Sequence, residues 1–388
     1  MRILYIIPSP YIDFRQNTGY GRHIRETVSE LSLLGYEVKV LSNAINANVE
    51  PGTEQNISRK SSIKTFIKAL LPRIVWETIR DYSLLKLNSG FSRLIADTVN
   101  TWKPDVIYER TCYLGAAILN KKDVTVPWIM EVNAPFVEER QKISGRSLLT
   151  TQASRWEIEK YKRADHVFCV SSILKAFLAG EYDVAPSKLT TLPNGVNLTH
   201  FPKPASFHSE FDFGFVGSIM KYHGIEDLLI AFARIKKDFP TSKMLIVGDG
   251  ESLPELTATS NKLGLGNDVV FTDGVLNHLV HEQIAKMKVC IMPKSNWYGS
   301  PVKIFEYGAM SKPTIAPKVD PVEEIIEDGI EGKLVCDSIE LEQAMREFIE
   351  NPEAAMEMGN RLYLKVSTHF TWSQNAATID KVIRDLRN

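Results

Sequence analysis

A chain of 388 residues, 44% hydrophobic and 24% charged, has the composition of a soluble globular protein. It is too long for one ordinary core and predicts two domains of ~150–200 residues, and no apolar run approaches the ~18–20 residues of a helical membrane span. The net charge of −1 hides an asymmetry: residues 1–198 carry 26 Lys and Arg against 20 Asp and Glu, and the remainder carries 20 against 27. That bias suits an anionic surface or substrate but is too mild to suggest a nucleic-acid partner.

The chain begins with an apolar run, Ile3 to Ile7, too short for the apolar region of a signal peptide and readable as a strand buried on both faces. A loop ending at Gly19 and Gly21 follows, then a helix from Arg22 to Leu34 stopped by Gly35, then the strand Val38–Leu41. This is a βαβ unit with glycines at the first strand's C-terminal end, where open α/β sheets bind ligands. The full dinucleotide fingerprint is missing, since Ile24 stands where its third glycine belongs. Residues 46–60 are polar and irregular. From Ser62 to Leu87 the pattern is helical, with a kink or break at Pro72. Within it, residues 59–80 combine an apolar stripe (Ile63, Phe66, Ile67, Leu70) with six cations from Arg59 to Arg80. Two readings fit: a helix lying on an anionic membrane, or a helix packed on its own domain with a solvated basic face.

Strands are expected at Asp105–Tyr108, Trp128–Val132 and Val167–Val170. Glu131 and Asn133 close the second of these, where a carboxylate or amide can hold an acceptor hydroxyl. Glu138 and Glu139 read better as acids favouring a helix start. After Leu189–Leu192 comes the turn Pro193–Asn197, with a domain boundary near residue 200. The pattern then restarts with the strand Phe213–Val216 and the loop Gly217-Ser218-Ile219-Met220-Lys221-Tyr222-His223-Gly224. Further strands are expected at Met244–Val247, closing on Gly248, and at Val269–Phe271, Val289–Met292 and Thr314–Ala316. Helices follow at 339–350, 353–366 and about 373–386. Cys112, Cys169, Cys290 and Cys336 are too scattered for a metal site and read as buried, reduced thiols of a cytosolic protein.

The most informative run is Asn296 to Pro313. Tyr298, Gly299, Ser300 and Pro301 make a loop, and Val302 to Met310 a helix. A helix start leaves N–H groups unpaired and presents a positive dipole end suited to a phosphate. Lys303 adds a full charge, and Glu306, one turn on, can accept from sugar hydroxyls. An ordinary surface helix with a Lys303–Glu306 pair is the plainer alternative.

Taken in order, these motifs resemble the GT-B glycosyltransferases, narrowed to the large retaining group called family 4 or group 1. Gly19 and Gly21 resemble that family's first glycine loop, Leu192 to Asn197 with Phe201 its inter-domain signature, and Gly217 with His223-Gly224 its second-domain loop. Val247 to Gly250 resembles its V-G-D-G turn, and the run Asn296 to Pro313 its donor-binding E-x7-E motif, which ends at Glu306. The resemblance implies an α/β fold of two Rossmann-like domains facing across a cleft. Residues 1–200 would form the acceptor domain and 201–370 the donor domain, with the helix at about 371–388 packing back on the first. It implies a nucleotide-diphosphate sugar, UDP- or GDP-linked, as substrate, with no cofactor and no essential metal. Glu306, Val302, Ser300, Gly299, Tyr298, Gly217, Ser218, Lys221, Gly248, Gly19 and Gly21 would line the donor. His223, Lys303, Asn133 and Glu131 would act in catalysis. Tyr298 stands where the family has a carboxylate, Ser218 where it has Arg, His223 where it has Lys, and Pro301 where it usually has glycine. The acceptor implied is a glycan or lipid-linked hydroxyl in surface polysaccharide or glycoconjugate assembly. The enzyme would be cytoplasmic, with peripheral membrane contact through residues 59–80. Another GT-B reaction, such as epimerisation or phosphorolysis, and a catalytically weak scaffold that binds nucleotide or partners are the competing readings.

Overall fold

The computed structural model describes residues 1–16, 18–44, 71–115, 126–204 and 209–387. They divide into two compact units, Met1–Leu192 with Ala376–Asn388, and Pro193–Asn375. In the first, β1 (Arg2–Ile7), β2 (Glu37–Ser42), β3 (Val106–Arg110), β4 (Trp128–Val132), β5 (His166–Cys169) and β6 (Leu189–Thr191) form a parallel sheet ordered β2-β1-β3-β4-β5-β6. The apolar runs that announced β1, β3, β4 and β5 are buried along their length or nearly so, as strands covered on both faces must be. The chain goes from β1 outward to β2, then returns to lay β3 on β1's other side. The order therefore reverses between β1 and β3, and a crevice opens at that end of the sheet.

The helix after β1 runs Gly19–Leu33, so Gly19 and Gly21 lie in its first turn rather than in the loop before it. Thr18 caps it by accepting from the Gly21 N–H at 3.1 Å. A Cβ on residue 21 would lie 2.5 Å from the Gln16 carbonyl oxygen, so this glycine serves close backbone packing. Of the helix expected over Ser62–Leu87, the break at Pro72 is present and the C-terminal end is corrected. Pro72 stands at the N-cap and opens a helix, and that helix continues to Trp102; the part of the expectation that falls on residues 62–70 lies outside the described residues. Its buried face is Glu77, Thr78, Asp81, Leu84, Asn88, Phe91 and Ile95, half polar and so invisible to a hydrophobic pattern.

In the second unit, β7 (Phe211–Val216), β8 (Met244–Val247), β9 (Val269–Thr272), β10 (Met287–Ile291), β11 (Thr314–Pro317) and β12 (Lys333–Val335) form a parallel sheet ordered β12-β11-β10-β7-β8-β9. The short β12 had no counterpart among the expected strands. Here the order reverses between β7 and β10. One face of the sheet is covered by a core that includes Phe213, Phe215, Leu228, Phe232 and Met345, and the other by one that includes Ile304, Phe305, Tyr307, Leu362 and Val366. The helix Val302–Ala309 is seated against the helix Pro352–His369 at Gly308, where a Cβ would come within 2.7 Å of Val366.

The last helix is Trp372–Asp385. Its Ala376, Ile379 and Ile383 join Ile3, Tyr5 and Ile24 in the first unit's core, and the Tyr36 hydroxyl donates to Asp380 at 2.6 Å. The four cysteines are free, but only Cys169 and Cys290 are buried; Cys336 is exposed and Cys112 intermediate, which corrects the expectation of four buried thiols.

Candidate active site

Two groups of polar side chains stand at the C-terminal ends of the strands, one in each unit. That of the second unit straddles its strand-order reversal. From β7 the chain enters Gly217-Ser218-Ile219, and from β10 it enters the loop that ends in the helix Val302–Ala309. Gly217 and Gly248 have φ of +149° and +142°, backbone that side chains rarely adopt. A Cβ on Gly248 would strike the Gly217 carbonyl oxygen, and one on Gly217 would strike Lys303 Cε. These glycines let the β7 loop pass between the β8 turn and the Lys303 side chain. The loop is fixed by Gly217 N–H to the Val247 carbonyl (3.0 Å) and Ile219 N–H to the Asp249 carbonyl (2.9 Å).

Lys303 reaches back from the helix start to this loop. Its ammonium lies 5.3 Å from the centroid of the Phe215 ring and 3.3 Å from His223 Nε2. His223 Nδ1 is 2.6 Å from the Ser218 carbonyl oxygen, so that nitrogen carries the proton and donates. Nε2 is then left as an acceptor facing the ammonium. Burial, with the Lys303 charge second, holds the His223 pKa down at about 4. Burial lowers Lys303 to about 8, with Glu306 pulling the other way. The positive charge expected from His223 is thus absent near neutrality, and Lys303 carries it alone in the pair.

The helix start is positioned from several directions. Asn194 donates its backbone N–H to Ser300 Oγ (2.9 Å) and its side-chain amide to the Ser300 carbonyl (2.6 Å). Asn296 Oδ1 accepts from the Tyr298 and Gly299 N–H groups at 3.2 and 2.5 Å. The Tyr307 hydroxyl accepts from Val216 N–H at 3.0 Å, tying the helix to the end of β7. The Gly299 amide and the Ser300 hydroxyl, expected at the ligand, therefore serve the loop itself. Tyr298 is buried, its ring edge-on to Trp297. The N–H groups of Val302 and Lys303, by contrast, have no carbonyl one turn back to accept them, as in any helix's first turn. Glu306 follows on the next turn, 6% exposed. Ser218 and Lys221 lie at the exposed rim of the β7 loop.

The first unit's group centres on Glu131, 1% exposed. Its Oε1 accepts from His23 Nε2 (2.9 Å), from Asn133 Nδ2 (2.8 Å) and from Arg110, and its Oε2 from the Tyr108 hydroxyl (2.9 Å). Arg110 and Glu131 are register partners across β3 and β4, and His23 comes from the helix after β1. Burial alone would raise the Glu131 pKa, but His23 and Arg110 hold it far below the usual carboxylate range. A buried carboxylate with this many donors is a fixed anchor. Of the two residues expected here, Asn133 is half-buried and gives its amide to Glu131, whereas Glu131 is buried and holds its neighbours. His23, Arg110, Asn194 and Asn296 were missed as site residues; a basic residue pairing with Glu131 across adjacent strand ends was the available signal for Arg110.

The arrangement in the second unit can bind a polyanion. It offers a helix start, one half-buried cation beside a neutral imidazole, and a carboxylate one turn away for hydroxyls. Two family models cover most of the chain: "Glycosyltransferase Family 4" matches residues 17–200 and "Glycosyl transferases group 1" residues 210–351. Among curated proteins, a glycogen synthase of Mycobacterium tuberculosis is 20% identical over 93% of this chain and 89% of its own. Among solved structures, sucrose-phosphate synthase from Thermosynechococcus elongatus matches with a TM-score of 0.79 at 17% identity, covering 100% of this chain and 99% of that one. Anabaena HepE, solved in complex with UDP-glucose, matches with a TM-score of 0.72 at 16% identity, covering 99% and 100%. Fold, motif order and both family models agree, and the chain belongs to the GT-B glycosyltransferases of family 4 and group 1.

Proposed function

We propose that this glycosyltransferase takes its sugar from a nucleotide-diphosphate donor, UDP-linked in the first instance, and transfers it with retention of configuration to a hydroxyl of a glycan or lipid-linked acceptor. The observation that carries the reading is the convergence of Lys303, the Val302–Lys303 amides and Glu306 where the second sheet's strand order reverses. In this reading Glu306 accepts from the ribose hydroxyls. The helix-start amides and Lys303 meet the diphosphate, whose charge grows as the bond from the anomeric carbon to the phosphate oxygen breaks. Donors already aimed at that charge stabilise the transition state more than the ground state. The acceptor oxygen forms the new bond on the face the phosphate leaves, and its proton passes to the departing phosphate oxygen. No metal-held step is required, because Lys303 and the helix dipole supply the compensating charge. Asn133 orients the acceptor, and Glu131 holds Asn133.

The similarity to HepE in complex with UDP-glucose supports the choice of nucleotide. Surface polysaccharide or glycoconjugate assembly on the cytoplasmic side of a membrane remains our reading of the role, supported by the family and by the basic bias of the first half. The test is calorimetry against UDP, GDP and ADP, followed by donor hydrolysis watched by NMR. We expect UDP to bind and the released sugar to appear first as the anomer present in the donor. Binding of none of the three nucleotides would overturn the site assignment, and first appearance of the opposite anomer would overturn retention.

A further inference from the structure

The first unit carries a surface that the donor chemistry does not use. On the helix Arg73–Trp102, Ile74, Val75, Ile79 and Tyr82 are 42%, 37%, 48% and 60% exposed. At 100° per residue these four fall within less than half of the helix circumference. The segment between the helices Phe136–Ser144 and Thr150–Arg163 lies alongside. Arg73 donates to the Ile143 and Ser144 carbonyls at 3.1 and 2.9 Å, and Leu148 N–H donates to Thr78 Oγ1 at 3.0 Å. Ile143 and Leu148 are nonetheless 70% and 72% exposed. Two stretches of chain, residues 74–82 and 143–148, thus turn large apolar side chains outward at one place, and a contiguous patch of that kind marks a contact surface.

The charges around the patch choose its partner. Arg73, Lys86, Lys142 and Arg146 are exposed there, whereas Arg80 lies on the opposite side of the helix, beside Glu77 at 3.5 Å. The nearby acids are withdrawn: Glu77 and Asp81 are buried and engaged by Arg140, and Asp81 also accepts from Tyr113 (2.9 Å) and Ser147 (2.5 Å). Glu138, partly buried, is held by Lys142 at 2.7 Å. Ser147 and Arg140 fix the connecting segment to the helix, so the patch is held in shape before any partner arrives. A rigid apolar patch ringed by cations suits the interface of an anionic membrane, where apolar side chains and cations act together.

We propose that Ile74, Val75, Ile79, Ile143 and Leu148 insert into the headgroup region of an anionic bilayer, with Arg73, Lys86, Lys142 and Arg146 held against its phosphates. Apolar insertion and cation attraction act together, each cation near an anionic surface contributing ~1 kcal/mol. The surface takes up the described end of the segment expected from sequence, residues 71–80, and adds Ile143 and Leu148 with Lys142 and Arg146; residues 59–70 lie outside those described. It is independent of the donor reading, since none of its residues belongs to the donor site.

The test uses the full chain with vesicles of phosphatidylcholine alone and of phosphatidylcholine with ~30% phosphatidylglycerol, an anionic composition. Co-sedimentation should be strong on the anionic vesicles, weak on the neutral ones, and diminished by 0.5 M salt through screening at about the 0.5 M level. The exposed-site variant Ile74→Ser/Ile143→Ser/Leu148→Ser should lose about tenfold or more of the anionic partition. Lys142→Glu/Arg146→Glu should lose it too, with unfolding temperature and UDP binding as in the parent. Equal sedimentation of parent and both variants, or none by the parent, overturns the proposal. So does a parent that sediments in the ultracentrifuge as a dimer which the serine variant dissolves, because the patch is then a subunit contact. UDP binding that persists while vesicle binding fails separates this inference from the donor site.

Discussion

The Glu131 group and the Lys303 group occupy equivalent stations, each at the C-terminal ends of parallel strands beside a reversal of strand order. Their electrostatics are opposite. Glu131 is a carboxylate with a histidine, an arginine, an amide and a tyrosine hydroxyl already upon it. Lys303 is a cation set 3.3 Å from the uncharged acceptor face of His223, and no carboxylate lies within ion-pair distance of it among the described residues. The first group has spent its charge on the fold and holds shape. The second retains charge for an anion that arrives later, and burial makes that charge both costly and strong.

The sharpest way to break this contrast is to neutralise Glu131. Glu131→Gln should cost ~3–5 kcal/mol of unfolding free energy, because Arg110 and His23 lose their buried counter-charge; chemical denaturation measures it. Because the folded-state pKa is depressed, this stabilisation is present above the unfolded value and is lost as pH falls through and below about 4. Parent and variant should therefore converge in acid, and a constant gap down to about pH 3 would show that the carboxylate's charge is not what matters.

Lys303→Ala should leave stability nearly unchanged and lower turnover about 100- to 1,000-fold, the loss expected when a donor to developing charge is removed. Steady-state kinetics would contradict the reading if kcat held and only KM rose. Next in size, Glu306→Ala should weaken UDP binding about 10- to 100-fold by calorimetry, the scale of hydrogen bonds to a charged group. A loss of affinity equal for UDP and inorganic diphosphate would move Glu306 from the ribose to the phosphates.

The pH dependence of UDP binding is a smaller effect. A diphosphate favours the charged form of Lys303, so affinity should be greatest below its pKa of about 8 and fall as pH rises beyond it, approaching about tenfold per unit. The bound diphosphate should also raise His223 from about 4, so that binding near pH 6 takes up protons. Calorimetry in two buffers of different ionisation enthalpy reads that uptake, and its absence would mean that His223 stays neutral throughout. Smallest is Asn194→Ala, which removes the side-chain amide bond to the Ser300 carbonyl and leaves the backbone one. It should cost about 1 kcal/mol in UDP affinity, and a wholly unaffected affinity would show that the loop holds itself.

What the sequence revealed and what it concealed differ for a physical reason. Strands buried on both faces are local and apolar, and Ile3–Ile7 or Met244–Val247 announce themselves. The helix Arg73–Trp102 was cut short because its inner face is Glu77, Asp81 and Asn88, and those residues are inside only because Arg140, Tyr113, Ser147 and a carbonyl meet them from elsewhere in the chain. Likewise β12 has too few residues to show a pattern, and is a strand because β11 pairs with it.

The run from Asn296 to Pro313 shows both sides. Residue types alone determined that a loop would feed a helix there, that Lys303 and Glu306 would share a face, and which family the order of motifs fits. Only the tertiary structure decided that Gly299 and Ser300 are occupied by Asn296 and Asn194, that His223 presents an acceptor rather than a charge, and that Gly217 and Gly248 clear the path of Lys303. Local sequence sets the backbone preference and the face of each side chain. Contacts such as Asn194 with Ser300 and Lys303 with His223, and the burial that moves a pKa, depend on segments dozens of residues away, brought together when the sheet forms.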